Sequence, residues 1–122
     1  MAKAFRRFQR KERIDDDALC EAIARAEHGL IDADLGAGLI KQRVARKGQG
    51  RSGGFRTIIA YRAAERSVFV YGFAKSARVN VSKADERDLA DYGAMLLSLD
   101  DDGIETIMAG DELKEIDCDG ET

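Results

Sequence analysis

Apolar and polar residues alternate in different rhythms along the 122-residue chain, and each rhythm predicts a different element. Residues 3–13 place Phe5 and Phe8 three apart among cations, which suits either a short amphipathic helix or a strand. Asp15-Asp16-Asp17 predicts a helix start, because carboxylates favour the positive end of the helix dipole. Leu19, Ala22, Ile23 and Ala26 then repeat at helical spacing to Glu27, with Gly29 as the stop. Leu30 to Gly38 predicts a loop broken by Gly36 and Gly38.

From there the period shortens to two. Leu39–Ala45, Phe55–Arg62 and Ser67–Phe73 predict strands, joined by the Gly-rich stretch Lys47–Gly54 and the hairpin Ala63–Arg66. The third strand is apolar on both faces, which predicts a central position in the sheet. Ser82-Lys83-Ala84-Asp85 approximates a capping box for a helix over Ala84–Leu99, with Leu89, Tyr92, Met95, Leu96 and Leu99 as its apolar stripe. Asp100-Asp101-Asp102 opens a short helical segment over Gly103–Ala109. Leu113–Ile116 predicts a short edge strand, and the acidic residues after it a frayed end. The expected architecture is α+β over a single domain, residues 1–122. It has N-terminal helices, an antiparallel sheet of three to four strands and C-terminal helices.

No apolar run approaches the ~18 residues of a membrane span. The basic start Met1-Ala2-Lys3-Ala4-Phe5-Arg6-Arg7 is followed by no apolar stretch of the kind a secretory signal needs, so a cytoplasmic protein is expected. Cys20 and Cys118 lie far apart and are expected to form neither a disulfide nor a zinc site. Cys20 suits a small buried hydrophobe, and Cys118 between Asp117 and Asp119 is a poor thiolate. The single histidine, His28, excludes any mechanism built on two, and its place near a helix end suits capping. No metal site and no cofactor are expected.

Charge changes the picture most. The net charge of −3 hides a division: residues 1–78 carry 17 Lys+Arg and 9 Asp+Glu, whereas residues 79–122 carry 3 and 14. Between Leu35 and Ala64 there is no Asp or Glu, against seven cations: Lys41, Arg43, Arg46, Lys47, Arg51, Arg56 and Arg62. Such a surface suits a polyanion such as a phosphate backbone; the plainer alternative is a solvated face balanced by the acidic C-terminal part.

Gly48-Gln49-Gly50-Arg51-Ser52-Gly53 satisfies G-x-G-x-x-G, but a β-branched run follows where a dinucleotide site requires a helix. A hairpin that carries cations fits better. Lys47 and Arg51 would stand on it, Arg56 on the strand that leaves it, and Lys75 just past the end of the third strand. Lys41 and Arg43 share one strand face by the period of two. Tyr71 and Phe73 could stack on bases or pack in the core.

Leu39-Ile40-Lys41-Gln42-Arg43-Val44, then Gly48–Arg56, then Phe69-Val70-Tyr71-Gly72-Phe73-Ala74-Lys75-Ser76 together resemble the RelE/HigB-type toxins of bacterial type II toxin–antitoxin systems. The HigB-like branch is closest, through its K-[GS]-G-[YF]-R hairpin and F-x-K-[SN] strand end. The resemblance covers roughly residues 14–99, a RelE-like core, with residues 100–122 as an acidic C-terminal segment. It implies a compact fold, ribosome-dependent cleavage of messenger RNA and a cognate antitoxin of helix-turn-helix type. It also implies metal-independent attack by the RNA 2′-hydroxyl on the adjacent phosphate, with basic residues in place of a histidine pair. Carried over by position, the catalytic set is Arg56, Lys75, Arg51 and Lys47, and the RNA-binding set is Lys41, Arg43, Arg46, Tyr71 and Phe73. Arg51 stands where many relatives have Lys. Two alternatives stay open: a ParE-like toxin that inhibits gyrase without cutting RNA, and an inactive RNA-binding relative whose acidic segment folds over the basic face.

Overall fold

Two helices, four strands and two further helices follow one another along the chain in a computed structural model that describes residues 1–46, 50–63, 66–74, 83–116 and 118, with main chain alone at 46, 50–53, 83 and 84. The elements are α1 (Lys3–Glu12), α2 (Asp16–Glu27), β1 (Ala33–Gly36), β2 (Leu39–Arg46), β3 (Gly50–Arg62), β4 (Arg66–Ala74), α3 (Lys83–Ser98) and α4 (Asp101–Ala109). The four strands form one antiparallel sheet in the order β1-β2-β3-β4.

Both sheet faces are covered, and the period of two sends alternate residues to different cores. One core gathers Phe5, Leu19, Ala22, Ile40, Val44, Phe55, Ile59 and Phe69 between the sheet and α1 and α2. The other gathers Leu39, Ile58, Ala60, Val68, Val70, Leu96 and Leu97 beneath α3. Adjacent Ile58 and Ile59 therefore belong to opposite layers. This two-sided cover corrects the expectation for the third strand. β4 is an edge strand, and its residues are apolar on both faces because helices lie on both sides of it. Its open edge is partly paired: the Ala2 N–H donates to the Phe69 carbonyl at 2.9 Å, and Leu113 bridges Ala2 in turn.

Residues 3–13 are helical over α1, which puts Phe5 and Phe8 on one face. Phe5 stacks on Phe69 with ring centroids 5.0 Å apart, and Phe8 meets Phe55 edge-on at 5.5 Å. Gly72 makes room for this contact: a Cβ there would fall 2.6 Å from the Phe8 ring. The expected loop over Leu30–Gly38 holds a short strand, β1, whose four residues with a terminal glycine are too few to show a period. Asp100 caps α4 by accepting the Gly103 N–H at 2.8 Å, so the helix begins at Asp101, two residues before the expected start. α3 begins at Lys83; Ser82 of the expected capping box lies outside the described residues. Met95, expected in the apolar stripe of α3, is 39% exposed.

The cysteines require a second correction. Cys20 and Cys118 are joined by a disulfide across a sequence separation of 98, with their Cα atoms 5.8 Å apart. Distance along the chain misleads here, because the fold lays the C-terminal segment beside α2 and the N-terminus. Leu113 is buried, Ile116 packs against the α1–α2 core, and the Met1 amino group donates to the Lys114 carbonyl at 2.5 Å. Burial holds that amino group at a pKa of about 6, well below its ordinary value, with Arg6 adding to the effect and Glu115 opposing it. Residues 113–116 are thus docked, not a strand; Leu113 makes an isolated bridge. No helix among the described residues is long and apolar enough to cross a membrane.

Candidate nucleic-acid interface

β3 supplies the centre of the site. Phe55, Thr57 and Ile59 turn toward α1 and α2, which leaves Arg56 and Ile58 on the α3 side by alternation. On β2 the same alternation turns Ile40, Gln42 and Val44 inward and puts Lys41 and Arg43 on the face that carries Arg56. On β4, a bulge at the Ile58/Ile59 step puts both Val70 and Tyr71 in the layer beneath α3, and Phe73 follows on that face. Gly54, immediately before Phe55, fits a tight passage against β2: a Cβ there would lie 2.3 Å from the Val44 carbonyl oxygen.

The register then fixes two rows across three strands. Arg43, Arg56 and Phe73 are direct cross-strand partners, and so are Lys41, Ile58 and Tyr71. Directly opposed residues stand about 5 Å apart at their Cα atoms, and the rows are roughly 7 Å apart along the strands. Tyr71 and Phe73 have ring centroids 6.0 Å apart and are both half-buried. A groove of about 430 Å³ borders the second row, between Leu35, Leu39 and Ile58 on the sheet and Glu86 and Leu89 on α3.

The two arginines differ in what holds them. Arg43 is tethered by Asp32: its main-chain N–H donates to Asp32 Oδ2 at 2.6 Å, and its Nε lies 3.5 Å from the same oxygen. Asp32 is itself placed by Gln42, whose buried side chain accepts from the Asp32 N–H at 2.8 Å and donates to the Ala22 and Leu30 carbonyls. Arg25 completes this support by donating to the Arg43 carbonyl. Arg56, by contrast, has a buried Nη1 with no hydrogen-bond partner among the described residues. Opposed like charges weaken a strand pair, and a buried donor left unpaired costs free energy. The fold therefore carries an unfavourable charge arrangement at Arg56.

Lys41, Arg43, Arg56, Tyr71 and Phe73 are brought to one face. The backbones of Arg46 and Arg51 lie in β2 and β3, and their side chains are not described; Lys47 and Lys75 lie outside the described residues. The stretch from Gly50 to Gly53 belongs to a strand and no helix follows it, consistent with rejecting a dinucleotide loop. His28 caps α2, its Nδ1 2.8 Å from the Ala24 carbonyl oxygen. Among the described residues no cluster of His, Cys, Asp and Glu could hold a metal ion.

The acidic segment makes its described ion pairs elsewhere. Asp111 pairs with Arg6 at 3.2 Å, which holds its carboxyl below the usual carboxylate range. Asp101 stands 3.8 Å from Arg66, at the β3–β4 turn. Arg66 is the register partner of Arg62, six residues along β3 from Arg56, which is roughly 20 Å in an extended strand. No sequence signal marks Asp32 or its tether on Arg43, because the strand that follows it, β1, is too short to show a period.

A family model described as the RelE toxin of the RelE/RelB toxin–antitoxin system matches residues 1–116. The match is wider than the sequence resemblance, since it takes in α1 and the docked segment through Ile116. No curated protein matches the chain.

Proposed function

Because the chain belongs to the RelE toxin family, and so is a toxin whose partner is a cognate antitoxin, we propose that it is a ribosome-dependent messenger-RNA endoribonuclease of the HigB-like kind, acting in the cytoplasm. The observation that carries this reading is the Arg43–Arg56–Phe73 row, in which the Arg56 Nη1 has no hydrogen-bond partner among the described residues. An RNA phosphate has the charge that Arg56 lacks, and the flanking aromatic faces accept any base.

The chemistry follows from the residue types. The 2′-hydroxyl oxygen attacks the adjacent phosphorus, the bond to the 5′-oxygen breaks, and a 2′,3′-cyclic phosphate and a 5′-hydroxyl result. One proton leaves the 2′-oxygen and one reaches the departing 5′-oxygen. Negative charge grows on the non-bridging oxygens, where Arg56 and Arg51 would stabilise it. One such preorganised donor contributes about 3–4 kcal/mol, or 10²–10³ in rate. A guanidinium does not deprotonate at neutral pH, so neither arginine serves as the base. Lys75 or Lys47 would carry the proton, with Tyr71 ranked after them. Lys41, Arg43 and Arg46 would hold flanking phosphates, and Tyr71 and Phe73 would stack on bases.

The test is induction in cells, with message 5′ ends mapped by primer extension. New 5′ ends that vanish in Arg56→Ala and Lys75→Ala, both folded, are the expected result. Growth arrest with broken DNA and no new 5′ ends would replace this reading with gyrase inhibition. Full toxicity in both variants would refute the site.

A further inference from the structure

The sheet face leaves one strongly charged surface unexplained. α1 and the residue after it carry Lys3, Arg6, Arg7, Arg10, Lys11 and Arg13 against the single acid Glu12. With 100° per residue, these helical cations fall on one continuous arc, opposite Phe5 and Phe8, which face the sheet. Lys3, Arg7, Arg10, Lys11 and Arg13 are exposed, and the one described ion pair from this helix joins Arg6 to Asp111. Helix stability accounts for only part of the pattern. Arg10 and Lys11 suit the negative end of the dipole, but Lys3, Arg6 and Arg7 crowd the positive end, where the first turn holds no acid.

The placement of this arc points to its ligand. Phe8 anchors the second half of α1 on Phe55 and Gly72, the immediate neighbours of Arg56 and Phe73. α1 therefore backs the same end of β3 and β4 whose opposite face carries the Arg43–Arg56–Phe73 row, with the edge of β4 between the two surfaces. The cations from Lys3 to Lys11 extend about 12 Å along the axis, enough to follow more than one phosphate.

We propose that the outer face of α1, through Arg7, Arg10 and Lys11, is a second nucleic-acid surface that grips the sugar–phosphate backbone of a single-stranded RNA leaving the sheet face around the β4 edge. It rests on the RNA reading of the sheet face and assigns length dependence to a different element. A short oligonucleotide fills the Arg56 row alone, and a long one also engages α1.

The test uses uncleavable 2′-O-methyl oligouridines of 5 and 20 nucleotides, with anisotropy titrations between 50 and 200 mM salt. The proteins are the wild type, Arg56→Ala, and the triple variant Arg7→Gln, Arg10→Gln, Lys11→Gln, whose exposed positions and good helix formers keep the fold intact by circular dichroism. Loss of three phosphate contacts lowers the slope of log K against log salt by about 2 for the 20-mer, equivalent to about 100-fold in affinity at 100 mM, and leaves the 5-mer within twofold. Arg56→Ala weakens both lengths. Equal slopes for the triple variant and wild type on the 20-mer, with Arg56→Ala still losing the 5-mer, would overturn this proposal and spare the sheet-face reading. Failure of the wild type to bind either length would overturn both. If the triple substitution abolished binding of a polyglutamate peptide but left the RNA slope unchanged, α1 would be a docking face for an acidic protein instead.

Discussion

Replacing Arg56 with methionine should stabilise the protein and inactivate it at the same time. The buried Nη1 of Arg56 has no hydrogen-bond partner among the described residues, and such a donor costs about 1–3 kcal/mol. Its direct cross-strand partner is Arg43, and opposed like charges cost about 0.2–1 kcal/mol more, a figure reduced here because Asp32 sits 3.5 Å from the Arg43 Nε. Methionine keeps an unbranched stem of similar length at this position and removes both penalties. A net gain of about 1–2 kcal/mol follows, a rise of roughly 3–8 °C in Tm for a chain of this length. Thermal denaturation by circular dichroism reads the stability, and cleavage of message on ribosomes reads the activity, which should fall by about 10²–10³. The usual result for an arginine serving the fold is the reverse. A loss of 1 kcal/mol or more in Arg56→Met would show that the guanidinium is held by structural partners and would remove the reason for placing a phosphate there.

Three further outcomes are expected. Reducing the Cys20–Cys118 bridge, or Cys20→Ser, should lower stability by about 4–5 kcal/mol, because the bridge closes a loop of nearly the whole chain; a Tm unchanged by dithiothreitol would contradict it. Gly72→Val should cost about 1–3 kcal/mol by driving methyls into the Phe8 and Phe5 rings, measured by urea denaturation, and a neutral effect would mean that α1 does not rest on that glycine. Arg6 lowers the Asp111 carboxyl, so the ion pair's contribution is present above the unfolded carboxylate pKa and is lost as pH falls through the folded one. Carbon-detected NMR should show that pKa rising in Arg6→Gln, and no change would deny the contact.

The parts of the fold that were legible in sequence are those with a long period. Leu19, Ala22, Ile23 and Ala26 mark α2, and the alternation through Leu39–Val44 and Phe55–Arg62 marks β2 and β3 and puts Lys41 and Arg43 on one face. The errors arise where a pattern has more than one physical cause. An apolar run on both faces signals helices above and below as readily as strands on either side, and β4 has the former. β1 is too short to show its period. Neither the Cys20–Cys118 pairing nor the docking of residues 113–116 on Ala2 and Met1 leaves a local trace, since both depend on how the two ends of the chain meet. The site shows the same limit. Charge identified the cations, but only the register shows that Arg43 and Phe73 flank Arg56, and only β1 brings Asp32 to Arg43.

In the proposed mechanism Arg56 meets a scissile phosphate whose attacker is the neighbouring 2′-hydroxyl. Programmed ribosomes with a defined message in the decoding site test it directly, with and without a single 2′-deoxy nucleotide at the mapped cleavage position, in buffer containing a chelator that spares the ribosome's own magnesium. The expected result is a 5′-hydroxyl fragment and a 2′,3′-cyclic phosphate from the all-ribose message, none from the 2′-deoxy message, and a rate about 10²–10³ lower with Arg56→Ala. Equal cleavage of the two messages, or an undiminished rate without the Arg56 guanidinium, would contradict it.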